Sequence, residues 1–267
     1  MSIDASARIH PSSVIEEGAH IGPGCEIGPF CVVGRDVTLA AEVTLKSHVV
    51  VTGWTEIGEG STIFPFANIG DVPQDLKYAG EKSRLIVGAR NRIREGVTMN
   101  TGTEGGGGVT RVGDDCLFMA GAHVAHDAQV GDRVIMVNNS ALAGHCVVGD
   151  DVIIGGLSGV HQFVRIGKGA IIGAVTMVTN DVIPYGLVQG PRGGLDGLNL
   201  VGLKRRGVAR EDIMALRAAF QALAQGEGAF QDRARRLTDD EAGQSPYVRD
   251  IVEFVLGDSD RSFLTPG

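Results

Sequence analysis

This chain lacks any surplus of positive charge. Its 24 lysines and arginines stand against 32 aspartates and glutamates, a formal net charge of -8. That excludes generic nucleic-acid binding, which needs a basic face. No run of about 20 apolar residues occurs, so no membrane-spanning helix is expected. The start, Met-Ser-Ile-Asp-Ala-Ser, has no basic segment followed by an apolar one. No secretory signal is therefore read there, and a cytoplasmic protein is expected. There are only four cysteines and no Cys-x-x-Cys pair, which argues against a redox motif or a structural zinc site.

What the chain has is a period. An aliphatic residue recurs every sixth position from Ile9 through Ile15, Ile21, Ile27 and Val33 to Ile69. A second run steps from Val112 through Phe118, Val124, Val130 and Met136 to Val178. No stepped position is charged, which a composition 43% hydrophobic does not produce by chance. Hexapeptide periodicity marks a parallel β-helix in which each repeat is a short strand and a turn. Three repeats make a triangular coil with one inward aliphatic per face. Burying each is worth roughly 1.5–3 kcal/mol. The 40 glycines then reflect coil corners, where positive φ is needed. Cys25, Cys31, Cys116 and Cys146 each sit two places before an inward residue, and are read as small buried wall residues.

The repeats are expected over residues 1–185, with loops at 70–86 and 100–111 that leave the prism. Loops on a rigid scaffold are where binding residues concentrate. A glycine-rich connector begins at Gly186, and the period then becomes helical: Ile213, Leu216, Phe220 and Leu223 share one face. Thr238 to Glu241 reads as a capping box, and Ser245-Pro246 as an N-cap and first-turn pair. Residues 186–267 are therefore expected to be a connector and a small helical region.

Four of the seven histidines, His123, His126, His145 and His161, fall close together. One coil is 18 residues, so residues 18 apart stack about 4.8 Å apart. From His126 that step reaches Gly144 and Gln162; from Asp127 it reaches His145. These residues form one outer patch suited to acyl transfer. A histidine can take a proton from an alcohol near neutral pH, and a neighbouring carboxylate can fix its tautomer. A glycine N–H can approach a developing oxyanion. Two other readings compete. One is a zinc site of the γ-carbonic anhydrase kind, for which His123 and His126 sit along a coil instead of converging. The other is a structural or ice-binding β-helix, which would repeat threonine or another surface residue regularly; this chain does not.

Gln74-Asp75-Leu76-Lys77-Tyr78-Ala79-Gly80, Ala125-His126-Asp127, Leu142-Ala143-Gly144-His145, Val160-His161-Gln162-Phe163 and Gly202-Leu203-Lys204-Arg205-Arg206 resemble the UDP-N-acetylglucosamine acyltransferases of lipid A synthesis. The resemblance runs from about residue 2 to residue 256. It implies a mainly β fold, a left-handed parallel β-helix followed by a small C-terminal α-helical region, and a homotrimer with sites between subunits. The implied reaction moves a 3-hydroxyacyl group from acyl carrier protein to the glucosamine 3-hydroxyl of UDP-GlcNAc, with no metal or cofactor. Carried over, His126 is the general base, Asp127 its orienting partner and Gly144 the oxyanion donor. Asp75, Lys77, His123, His145, His161 and Gln162 become sugar and phosphate contacts, and Asn199, Arg205 and Arg206 the nucleotide end. Ala174 becomes the acyl-chain ruler, implying a donor of about twelve carbons.

The chain departs from the family pattern at three places. Val201 replaces a glutamate and Arg192 a histidine. Asn100-Thr101-Gly102-Thr103 stands where the family commonly reads His-Arg-Gly-Thr. The last departure leaves the 3-amino analogue of UDP-GlcNAc as an alternative acceptor. The later N-acyltransferase of the same pathway shares the repeats but carries a uridine-binding domain before them, for which no room precedes Ile9.

Overall fold

The computed structural model describes residues 2–259 and 261–266. Its two-residue strands, such as Glu26–Ile27, alternate with two-residue turns and stack into three parallel sheets. Sheet A has nine strands, from Ser2–Ile3 to Arg165–Ile166; sheet C has nine, from Val14–Ile15 to Met177–Val178. Sheet B has eleven, the last two an appended hairpin. Register follows the coil length, as in Ile9↔Ile27, Ile27↔Leu45 and Val124↔Leu142. The molecule is thus a left-handed parallel β-helix.

The stepped aliphatic residues fill the prism. Leu45, Ile63, Ile93, Phe118, Met136 and Ile154 form one fully buried column behind sheet B. The wall phase also has a polar task. Cys31 Sγ donates to the Lys46 carbonyl at 2.8 Å, and Ser158 Oγ to that of Gly173 at 2.7 Å. A small donor at this phase links successive coils. All four cysteines are free and buried.

Each coil has three corners. Both interruptions of the period leave from one of them, the corner between sheets C and A. The first runs from Asn68–Asp71 in sheet C to Arg84–Val87 in sheet A, and the second from Thr98–Asn100 to Val109–Val112. The excursions are shorter than the 70–86 and 100–111 expected, because their ends are strand: Arg84 to Val87 pair in register with Val109 to Val112. The hexapeptide period misses these pairs because each strand here is longer than two residues. The next turn of the same corner carries His126-Asp127, and the turn one coil further on carries Gly144-His145.

The C-terminal end of every sheet is covered. Gly186–Gln189 and Gly194–Leu198 form an antiparallel hairpin on sheet B, so much of the glycine-rich connector is ordered strand. Met177 at the edge of sheet C bridges Arg192, and Asp181, beyond sheet A, bridges Phe263. Among the described residues, four α-helices follow the hairpin: α1 (Leu200–Arg205), α2 (Arg210–Gln225), α3 (Phe230–Arg236) and α4 (Pro246–Leu256). Ile213, Leu216 and Leu223 are buried on one face of α2, with Phe220 partly buried beside them. Thr238 does not open a helix; its hydroxyl donates to the Arg235 carbonyl at the end of α3. Pro246 does occupy the first turn of α4, but the Ser245 hydroxyl donates to Asp212 on α2 instead of capping α4.

Candidate active site

The turn at the C/A corner places its second residue in the left-handed region. Asp127, His145 and Phe163 occupy that position in three successive coils, with φ of 61°, 63° and 66°. The conformation costs a non-glycine residue energy, so surrounding contacts must hold it. Aspartate, asparagine and histidine tolerate it best. His145 stacks on Phe163, with ring centroids 4.3 Å apart and planes 2° from parallel. It meets the His126 ring edge-on at 5.0 Å.

His126 Nδ1 lies 2.8 Å from Asp127 Oδ2, and the Asp127 side chain is 1% exposed against 12% for His126. A carboxylate can only accept. Nδ1 therefore carries the proton, and Nε2 is left as the basic nitrogen. The Asp127 carboxylate has further donors. Thr103 N–H reaches Oδ1 at 2.9 Å, and Thr103 Oγ1 reaches Oδ2 at 2.6 Å. The Asp127 N–H donates to Thr110 Oγ1 at 2.7 Å.

The His126 ring lies over Gly144. A Cβ there would stand 2.5 Å from His126 Cε1 and 2.6 Å from Nε2. A side chain there would have to displace this ring. Gly144 is also the first residue of its turn, a place taken elsewhere by Pro11, Pro23, Pro29 and Pro65. A position that accepts proline uses no N–H within the coil, so the Gly144 N–H is available to a ligand beside His126.

Asp75, Lys77, His145 and Phe163 line a cleft of about 340 Å³ between the two excursions and the C/A corner. Asp75 Oδ1 accepts from the Lys77 N–H, which shapes the first excursion. His123, on the neighbouring strand of sheet C, shares a 2.7 Å hydrogen bond between its Nδ1 and Thr98 Oγ1. Burial, and after it the charge on His126, holds its imidazole below the ordinary histidine value. Burial also lowers His145, opposed by Asp127 at 3.7 Å. His161 and Gln162 are exposed at the next coil, where His161 Nδ1 meets the Gln162 carbonyl.

The remaining expected residues lie elsewhere. Arg205 and Arg206 are exposed, and Arg206 packs on Gly169 and Tyr185 at the A/B corner, in a separate cleft with Arg133 and Lys168. Asn199 is buried, not free: its Oδ1 caps α1 through the Gly202 N–H, and its Nδ2 donates to the Gly169 carbonyl. Both polar atoms of its amide are thus engaged within the fold. Ala174 is exposed at the B/C corner, not at the His126 corner. The path between them crosses the outside of sheet C, over the paired Ala141, Gly159 and Met177. Leu157 and Val175 stand exposed along its far rim. Of the departures, Asn100 and Thr101 tie the excursions together. Asn100 Nδ2 donates to the Val72 carbonyl, and Thr101 Oγ1 accepts from Ser83 Oγ. Val201 is exposed on α1, and Arg192 bridges Met177 at the end of the sheet C path.

His126, Asp127 and His145 bring three possible metal-ligand atoms within 4.8 Å of one another. The carboxylate of that set is already met by His126 Nδ1 and by both donors of Thr103, which fits an ion-pair partner for histidine better than a cation ligand. The coil period gives no role to Thr103, Thr110 or Thr98, which the fold brings to this site. It does reach Phe163, which lies one coil beyond His145.

Residues 181–264 match the family model described as UDP N-acetylglucosamine O-acyltransferase, domain 2, and residues 1–35 match the bacterial transferase hexapeptide model. An acyl-[acyl-carrier-protein]–UDP-N-acetylglucosamine O-acyltransferase of Paracoccus denitrificans is 68% identical over 76% of this chain and 77% of its own length. That of Caulobacter vibrioides is 54% identical over 97% and 98%. The solved UDP-N-acetylglucosamine acyltransferase of Campylobacter jejuni superposes with a TM-score of 0.91 at 36% identity, covering 97% of this chain and all of that one. A coil-for-coil match of this extent reaches well beyond the hexapeptide repeat that many transferases share, and the chain belongs to the acyl-[acyl-carrier-protein]–UDP-N-acetylglucosamine O-acyltransferase family.

Proposed function

We propose that this protein transfers a 3-hydroxyacyl group from acyl carrier protein to the 3-hydroxyl of the glucosamine unit of UDP-GlcNAc, as the first step of lipid A biosynthesis. The observation that carries the reading is the His126–Asp127 pair seated on Gly144. His126 Nε2 takes the proton of the acceptor hydroxyl as its oxygen attacks the thioester carbonyl. The Gly144 N–H donates to the oxyanion that forms. Collapse of the tetrahedral intermediate breaks the carbon–sulfur bond, and the leaving thiolate of the phosphopantetheine arm recovers the proton from His126. General-base catalysis of this kind contributes about 10²–10⁴-fold, and an oxyanion donor about 10²–10³-fold. The reaction needs no metal or further cofactor, so dialysis against a chelator should leave turnover unchanged. A loss restored by zinc would point instead to the His126–Asp127–His145 cluster as a metal site.

The acceptor is the hydroxyl, as the O-acyltransferase names of the relatives support. The Asn100-Thr101 departure fits this reading, because both side chains fasten the excursions together. Competing UDP-GlcNAc against its 3-amino analogue at equal concentration tests it; amide as the main product overturns it.

The acting unit is a homotrimer in the cytoplasm. Support comes from the separation of Arg206, at the A/B corner, from the His145 cleft at the C/A corner. A nucleotide that meets both sets takes them from two chains. Sedimentation at micromolar concentration should give a trimer, and a fully active monomer would refute a shared site. The acyl chain runs from His126 across Ala141 and Gly159 toward Ala174. Ala174→Gly should shift donor preference from about twelve carbons upward and Ala174→Met downward, since overpacking an apolar wall costs roughly 1–3 kcal/mol. An unchanged donor ranking would place the end of the chain elsewhere.

A further inference from the structure

The second excursion, residues 101–108, is glycine-rich and out of phase with the coils, and it folds back onto Asp127. A Cβ on Gly106 would lie 2.0 Å from Asp127 Cγ and 2.2 Å from Oδ2, and one on Gly102 would lie 2.7 Å from Oδ1. The loop backbone at Gly102 and Gly106 therefore lies close against the carboxylate, and a side chain at either position would have to displace it or the loop. Thr103 stands between these glycines. It occupies the N-cap position of the 3-10 turn Glu104–Gly106, yet its side chain makes no capping hydrogen bond. A threonine there ordinarily caps its own turn. Here the hydroxyl is turned away and given to Asp127 Oδ2, the oxygen that also receives His126 Nδ1. The Thr103 N–H takes the other oxygen.

We infer that Thr103 is a positioning residue for the proposed transfer, holding Asp127 beside Gly102 and Gly106 so that His126 keeps one orientation. The inference rests on His126 acting as base. Two donors on Oδ2 share its negative charge. Removing the hydroxyl takes one of these donors away and changes how the carboxylate meets the imidazole. It also frees the carboxylate to rotate. Hydrogen-bond partners of metal-bound histidines change activity about 10–100-fold when lost, and a loss on the same scale is expected here.

The test compares Thr103→Val, Thr103→Ala and Thr103→Ser with the wild type, using full-length protein, 3-hydroxyacyl carrier protein and UDP-GlcNAc. Thr103→Val and Thr103→Ala should lower kcat about 10–100-fold with KM within twofold. Thr103→Ser, which keeps the hydroxyl, should restore kcat. Either apolar variant alone suffices if the other fails to fold, as judged by circular dichroism. Wild-type kcat in a folded apolar variant would overturn the inference, as would a loss confined to KM. His126→Ala serves as the separate check. If it retains activity the base assignment fails; if it is inactive while Thr103→Val behaves as wild type, only the role of Thr103 fails.

Discussion

The A/B and C/A corners of this prism both carry aspartates in their turns and use them in opposite ways. At the A/B corner Asp114, Asp132 and Asp150 stack one coil apart, with side chains about half exposed. Asp132 Oδ1 accepts from the Asp114 N–H and Asp150 Oδ1 from the Asp132 N–H, while Arg133 bridges Asp150 and Asp151. Each carboxylate satisfies the backbone of the preceding coil, and solvent and arginine absorb its charge. Asp127 at the C/A corner is sealed, and every donor it meets fixes its direction toward His126. What separates the corners is the pair of excursions. A loop that folds back excludes water from a turn that would otherwise be as wet as its neighbours. In a drier setting the same carboxylate interacts more strongly with a histidine.

This contrast can be broken at the chemistry first. His126→Ala should reduce turnover about 10²–10⁴-fold with an unchanged circular dichroism spectrum, whereas Arg90→Ala at the other corner, which loses the pairing with Asp114 and Asp115 away from the Arg206 cleft, should leave turnover within twofold. Near-full transfer by the His126 variant would remove the functional distinction. Gly144→Ala is the next largest perturbation. Its methyl must displace the His126 ring, so turnover should fall about a hundredfold, in the range of a lost oxyanion donor, while the melting temperature changes little. A variant that melts early yet turns over normally would reverse the assignment of this corner to chemistry.

Asp132→Ala addresses the wet corner. It removes one side-chain hydrogen bond to backbone, and the expected loss is about 0.5–1.5 kcal/mol of unfolding free energy by denaturant titration, with kcat intact. A fall in kcat would mean that Asp132, which does not line the Arg206 cleft, communicates with the site. The smallest effect expected is on pH. His123 has a folded pKa below its unfolded value near 6.5, so the folded state binds fewer protons than the unfolded one as pH falls through that range. Its stabilising contribution is present above the unfolded value and is lost as pH drops through the folded one. Between pH 7 and 5 the melting temperature of wild type should therefore fall more than that of His123→Gln. Equal slopes would show that burial at His123 has no titrating consequence.

Much of this can be read from the chain. A strict period specifies strands, turns, inward residues and the stacking of His126, Gly144 and Gln162, because each coil contacts only its neighbours. The period is silent where the chain leaves phase. Thr103 and Gly106 reach Asp127 through a loop whose path depends on close backbone contact, and their spacing from it matches no coil. The hydrogen bonds of Asn199 to Gly202 and Gly169 are not legible in the sequence, because a helix cap and a ligand contact require the same amide. Distance along the axis is enough to set how far Ala174 lies from His126, whereas its corner depends on the remainder after whole coils. The hairpin after Gly186 is hidden by its glycines, which suggest a connector even though Leu187, Val188 and Leu195 alternate with them.

The covered end of the prism has a consequence for assembly. A stack of identical coils is a template: its last edge offers unpaired N–H and C=O groups at the spacing another copy would bring, the geometry of a growing fibre. Here Arg192 lies against the last strand of sheet C, Val182 and Phe263 lie beyond sheet A, and the hairpin with Pro266 occupies sheet B. Proline has no N–H to offer a further strand. The C-terminal segments thus act as a terminator of polymerisation, letting a fold built by repetition remain a discrete particle.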